Sequence, residues 1–96
     1  MGLRNRLTRQ GKGYSVGYSA TLRVDLMQIV IGMKMRYYKI TREEYGWFTK
    51  DPERLDKLAH LIAIDGTKSS RFFCSSVHSE NNPEQEKRLR ALIDET

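Results

Sequence analysis

From Tyr14 to Leu26 apolar and polar residues alternate without a break. Tyr14, Val16, Tyr18, Ala20, Leu22, Val24 and Leu26 share one parity, and Ser15, Gly17, Ser19, Thr21, Arg23 and Asp25 the other. A period of two marks a strand with one buried face. The phase slips over residues 27–31 and resumes with Met33, Met35 and Tyr37 against Lys34 and Arg36, as a turn or bulge between two strands would produce. The pattern predicts a β-hairpin or a long bent pair over roughly 14–24 and 28–40. A helical stripe also fits Leu22, Leu26, Ile29, Val30, Met33 and Tyr37, and no strong turn dipeptide separates the two proposed strands. The β-branched and aromatic content, with Gly32 in the middle, favours strands.

Helical periodicity takes over after Ile40. "TREE" at 41–44 forms a capping box, Thr41 accepting from the Glu44 backbone and Glu44 reaching back, so a short helix should follow through "EEYGWFT". "DPERLDKLAHLIAIDG" has Asp51 as N-cap, Pro52 at the first helical position, Glu53 in the first turn and Gly66 as terminator. Leu55, Leu58, Ala59, Leu61 and Ile62 form its expected buried stripe. "RFFCSSV" at 71–77 reads as a strand, and a last helix from about Pro83 should bury Leu89, Leu92 and Ile93. The order β-β-α-α-β-α predicts an α+β domain: an antiparallel sheet with helices packed on one face and the other face open. Residues 1–13, with Arg4, Arg6, Arg9 and Lys12 among small or polar residues, read as a basic flexible arm. Leu3 and Leu7, at helical spacing, allow a short helix there, and 14–96 form the domain.

A 96-residue chain with 39% hydrophobic and 30% charged residues fits one modest folded domain with little room for a deep enzyme cleft. The longest apolar run, "MQIVIGM", falls far short of the roughly 20 residues of a membrane span, so no membrane partner is expected. The first ten residues lack a secretory apolar segment, and Arg6 stands where a myristoylation signal has Ser or Thr. One cysteine excludes an internal disulfide and suits a reducing compartment. The expected location is cytoplasmic.

Charge placement adds more than the net value of +5. Up to Arg42 there are nine Lys or Arg against one acid, Asp25; beyond it there are eight basic and eleven acidic residues. Four of the five tyrosines, Tyr14, Tyr18, Tyr37 and Tyr38, lie in the basic part. Cations attract phosphates and tyrosine rings stack on bases, so this half points to nucleic acid. The competing account is a solvated basic face with its tyrosines in the core.

The stretch "GKGYSVG" at 11–17 tests a nucleotide-loop reading. Its glycines give G-x-G-x-x-x-G, one residue off the dinucleotide fingerprint, with no strand before it and no helix after it. Lys12 is followed by Gly13 rather than Ser or Thr, so the P-loop pattern fails too. "RQGKGYS", Arg9 to Ser15, resembles a short stretch in the single-stranded-DNA-binding proteins of filamentous phages. There a basic, glycine-containing turn leads into a tyrosine-bearing strand of an almost all-β, OB-like barrel. The resemblance covers seven residues, and the chain departs from that pattern after Leu26.

"KMRYYK" at 34–39 is a second basic-aromatic cluster. On a strand it would put Lys34, Arg36 and Tyr38 on one face, a stacking platform if that face is open. Cys74 and His78, four apart, are too few for a structural zinc site and lack a third group to orient a catalytic pair. Glu43, Glu44, Asp51 and Glu53 are explained as helix-start residues. Trp47 and Phe48 read as core anchors, or as a protein-binding patch if exposed. No catalytic residue, metal site or cofactor is expected. The residues expected to meet nucleic acid are Arg4, Arg6, Arg9, Lys12, Tyr14, Tyr18, Lys34, Arg36, Tyr38, Lys39 and Arg42. The function expected is a small basic nucleic-acid-binding accessory protein without strong sequence specificity. The alternative is a protein-interaction module, an inhibitor or regulator like those of phages and mobile elements, docking on an acidic partner.

Overall fold

The computed structural model describes residues 12–94 together with the backbone of residues 7–9. Among the described residues five strands form one antiparallel sheet, β1 (Leu7–Arg9), β2 (Tyr14–Ser19), β3 (Val24–Ile31), β4 (Lys34–Ile40) and β5 (Phe72–Ser75), in that spatial order. Helices α1 (Arg42–Lys50) and α2 (Pro52–Asp65) connect β4 to β5, and α3 (Pro83–Asp94) follows β5. The α+β class holds, and the region from 14 to 40 is strand rather than helix.

That region holds three strands, not two. Residues 20–23 make the first turn, with the Ser19 hydroxyl accepting from the Leu22 amide at 3.2 Å and Arg23 in the left-handed region at φ 54°. The turn resets the faces, so Tyr18 and Val24 lie on opposite sides although their parity agrees. Gly32 (φ 62°) and Met33 make the second turn between the paired residues Ile31 and Lys34. A left-handed glycine at the first central position is the II′ hairpin pattern, whose twist matches the strands. Part of the expected arm is also structured: Leu7–Arg9 pair with residues 14–16 as an edge strand.

The helices cover both faces of the sheet rather than one. Helices α1 and α2 pack over Tyr14, Val16, Met27, Ile29, Tyr38, Ile40 and Phe72, burying Leu55, Ala59 and Ile62. Leu89 and Leu92 of α3 pack on Val24, Leu26, Tyr37 and Cys74 from the other side. The central strand β3 is therefore buried on both faces over most of its length, so its apolar run cannot alternate cleanly. Of the expected helical stripes, Leu61 is 61% exposed and Ile93 42% exposed. The edge at β5 is closed by side chains. Asn81 accepts from the Ser75 amide and donates to the Ser75 carbonyl, and Arg88 donates to the Phe73 carbonyl; such capping removes a template for strand addition. Among the described residues no helix is long and apolar enough to cross a membrane.

Candidate nucleic-acid interface

The most distinctive basic-aromatic surface is built on α1. Thr41 is its N-cap, with both halves of the capping box formed: the Thr41 hydroxyl accepts from the Glu44 amide at 3.1 Å, and the Glu44 carboxylate accepts from the Thr41 amide at 2.8 Å. Glu44 is buried and also takes two hydrogen bonds from the Arg71 guanidinium, both at 2.7 Å. Burial works to raise its pKa, but the Arg71 and Thr41 hydrogen bonds prevail and hold it below the usual carboxylate range. At the other end Asp51 closes α1 and caps α2, its side chain accepting from the Arg54 amide. The helix is thus clamped at both ends, and its outer face is held in place.

Residues four apart share a face of a helix. Arg42, Gly46 and Lys50 therefore form one stripe, with Glu43 and Trp47 beside it. These five and Asp51 line an open groove of about 690 Å³. The Arg42 guanidinium lies 5.2 Å from the Tyr18 ring centre and 5.1 Å from that of Tyr45. The Arg54 guanidinium stands 4.4 Å over the Trp47 ring. All of these distances lie within cation–π range. Arg42 remains largely exposed, although its Nη2 lies 3.0 Å from Asp25 Oδ1. That approach lacks hydrogen-bond alignment, leaving Asp25 Oδ1 buried without a hydrogen-bond partner. Burial raises the Asp25 pKa, and Arg42 offsets only part of the shift.

The other residues expected at the interface divide sharply. Tyr14 and Tyr38 are core residues, 3% and 0% exposed, where no base can stack. The Tyr14 hydroxyl donates to Asp56 at 2.5 Å, and the Tyr38 ring packs edge-on against Phe72 at 5.8 Å. The platform expected from Lys34, Arg36 and Tyr38 does not form, because α1 and α2 cover that face. Arg36 instead donates twice to Glu80, at 3.1 and 2.8 Å, and Lys34 stands 3.8 Å from the same carboxylate. The hydrogen bonds from Arg36, and next from Ser75, hold the Glu80 carboxyl down to about 2. Lys12 is exposed in the β1–β2 turn, 3.9 Å from Asp56, and Lys39 is exposed on β4. Tyr18 and Arg42 are brought together. Arg4 and Arg6 lie outside the described residues, as does the Arg9 side chain, although Arg9 itself ends β1.

Sequence reasoning misses Tyr45, Gly46, Lys50 and Arg54, and assigns Trp47 to the core or to a protein patch. Trp47 does pack against the core, but it also walls the groove. A glycine in the middle of a capped helix is the signal that could have found the site.

A smaller cavity of about 240 Å³ lies at the sheet–α2 seam, lined by Lys12, Tyr14, Asp56, His60 and apolar residues. Cys74 is buried in the α3-side core, where burial pushes its thiol up to about 12. His78 Nδ1 lies 2.6 Å from Glu86 at the surface, so Cys74 and His78 do not form a nucleophile pair. Among the described residues no three His, Cys, Asp or Glu side chains are grouped to hold a metal ion. The turn at Lys12–Gly13 does lead into a tyrosine-bearing strand, but the sheet is an open antiparallel one with helices on both faces rather than a barrel. Comparisons of the chain with protein-family models, with curated proteins and with solved structures find no match.

Proposed function

We propose that this protein is a small basic nucleic-acid-binding accessory protein, cytoplasmic and without catalysis of its own, that meets its ligand on the outer face of α1. The observation that supports this most is the Arg42 guanidinium set against both Tyr18 and Tyr45 beside an open groove. Such an arrangement offers a phosphate a cation held beside two partly exposed aromatic rings. Lys50 and Arg54 extend the positive edge, and the basic N-terminal residues add long-range attraction. Binding is to the backbone and to base faces, so little sequence preference is expected.

The test is a fluorescence-anisotropy titration with labelled single-stranded DNA, duplex DNA and RNA at about 50 and 200 mM salt, a range in which phosphate neutralisation changes affinity steeply. The double variant Arg42→Ala/Lys50→Ala should weaken binding and lower the salt slope by about 0.7–0.9 for each phosphate no longer neutralised. Failure to bind any of the three polymers at the lower salt would overturn the reading.

A second reading is favoured by a different feature. The β3–β4 tip exposes Val30 (48%), Ile31 (39%) and Met33 (100%) together. Three large apolar side chains exposed at one hairpin tip are more than scattered exposure explains. Lys34 follows them directly, and Lys12 precedes Gly13, whose carbonyl accepts from the Val30 amide. The apolar tip is thus flanked by two cations. On this reading the tip docks on an acidic protein partner, and Met33→Asp abolishes the complex while leaving nucleic-acid binding intact.

A further inference from the structure

We infer that the α1 groove is a slot for an unpaired base of a single-stranded nucleic acid, with Gly46 as its floor. The inference rests on the nucleic-acid reading and adds the form of the polymer and the place of the base.

Gly46 is the starting observation. It sits at the centre of a nine-residue helix, where glycine is costly relative to alanine. Its backbone is not left-handed, unlike Gly13, Gly32 and Gly66. A Cβ added there would meet no atom within 4 Å beyond its chain neighbours and the backbone of its own helix. Neither backbone conformation nor internal packing therefore requires a glycine. What the missing side chain does provide is a flat floor between Arg42 and Lys50, one turn to either side. Those two cations are about 12 Å apart along the helix axis.

The walls match a base better than a phosphate. Trp47 stands beside Gly46 with Arg54 over its ring, so one side of the slot is a polarised aromatic surface. Glu43 and Asp51 also line the groove. Carboxylates repel a phosphate but accept hydrogen bonds from exocyclic amino groups of bases. The arrangement places the base inside and its flanking phosphates outside, at Arg42 and Lys50. A duplex keeps its bases stacked and paired, so a base reaches such a slot only from a single strand.

Trp47 is the sole tryptophan of the chain, so its fluorescence reports this slot alone. The experiment titrates the protein with a short labelled single-stranded DNA and with the same sequence as a duplex, following anisotropy and tryptophan emission together. The expected result is quenching that saturates with the anisotropy change for the single strand, and little or no quenching by the duplex. Gly46→Met, which fills the slot with a good helix former, should weaken single-strand binding at least about fivefold, the lower end of what one unstacked base costs; thermal melting confirms that the variant is folded. Anisotropy binding without tryptophan quenching, and unaffected by Gly46→Met, would overturn the slot while leaving the nucleic-acid reading in place. Equal quenching by the duplex would overturn single-strand selectivity. Absence of binding to either form, and to a single-stranded RNA of the same sequence, overturns both readings. Quenching by an aromatic peptide but not by DNA would overturn the slot for a base and assign the groove to a protein partner instead.

Discussion

Replacing Gly46 by alanine should make this protein more stable and a poorer binder. The position lies at the fifth of nine residues in α1, between a complete capping box and the Asp51 closure, so the full helix-interior cost of glycine applies. That cost is about 0.8–1.0 kcal/mol relative to alanine in model helices. The share arising from lower unfolded-chain entropy alone is about 0.4–1 kcal/mol. No clash in the folded state subtracts from the gain, because the new methyl meets no atom within 4 Å beyond its chain neighbours and its own helix backbone. A stabilisation of about 0.4–1 kcal/mol corresponds to a rise in melting temperature of about 2–8 °C for a domain of this size. Circular-dichroism melting and urea titration of the two proteins measure it, and the urea slope should not change, because the surface exposed on unfolding is the same. An unchanged or lowered melting temperature would mean that Gly46 relieves a constraint within the fold, and the argument from its openness would fail. The same variant should bind single-stranded DNA more weakly, since the methyl stands on the floor of the groove. Opposite signs for stability and affinity are what a glycine retained for a ligand predicts. A gain in both would refute that account even if the protein binds nucleic acid.

Three further outcomes follow from the clamp and the charge pairs. Thr41→Ala removes the hydroxyl that accepts from the Glu44 amide and should cost about 1 kcal/mol in urea denaturation; a melting temperature and urea midpoint indistinguishable from the native protein would show that the hydroxyl adds nothing to the bonds the Glu44 carboxylate keeps with the residue-41 amide and Arg71. Glu80, held near 2 by Arg36 and Ser75 against an ordinary value of 4.5, contributes stability that is complete above the ordinary value and is lost as pH falls toward the folded one. The native protein should therefore lose stability between about pH 4.5 and 2, and Glu80→Gln should be less stable at neutral pH with a flatter profile in that window. Asp25 has the opposite sign: its pKa is raised, chiefly by burial, so its charge costs stability above the ordinary carboxylate range, and that cost is relieved as pH falls through the raised value. Asp25→Asn should remove that dependence and, by freeing Arg42 of its nearest carboxylate, tighten binding to DNA; weaker binding would show that Asp25 positions Arg42 for its ligand.

What can be read in the sequence, and what cannot, follows the range of the interactions involved. The capping box at Thr41, the Asp51–Pro52 start and the Gly66 stop are all as expected, because each is satisfied by atoms within a few residues. The two faces of the sheet depend on distant partners. Residues 20–23 turn the chain without Gly, Pro, Asn or Asp, so the alternation runs unbroken through a reversal and suggests one face for Tyr18 and Val24, which the register puts on opposite faces. The tip at Gly32 is legible in principle, since glycine opening a two-residue loop is a II′ signal, but the apolar flanks hide it. Tyr14 and Tyr38 look like accessible rings because alternation shows that a residue faces one side, not what covers that side. Two helices cover it, and Arg36 finds Glu80, 44 residues away.

The candidate site shows the same division. Arg42 and Tyr18 belong to the expected set, yet the reason for pairing them lies in the β2–β3 register and the start of α1. The basic half implies a polyanion but does not separate cations already matched within the fold from those left outside. Arg36 and Arg71 are held in hydrogen-bonded pairs with Glu80 and Glu44. Arg42, Lys39 and Lys50 remain exposed. A net charge of +5 is therefore a poor guide to the strength of an interface: what matters is which cations stand beside an aromatic wall with room for a ligand. The outer face of α1 combines these three features, and Gly46 is the residue there whose identity the fold itself leaves unexplained.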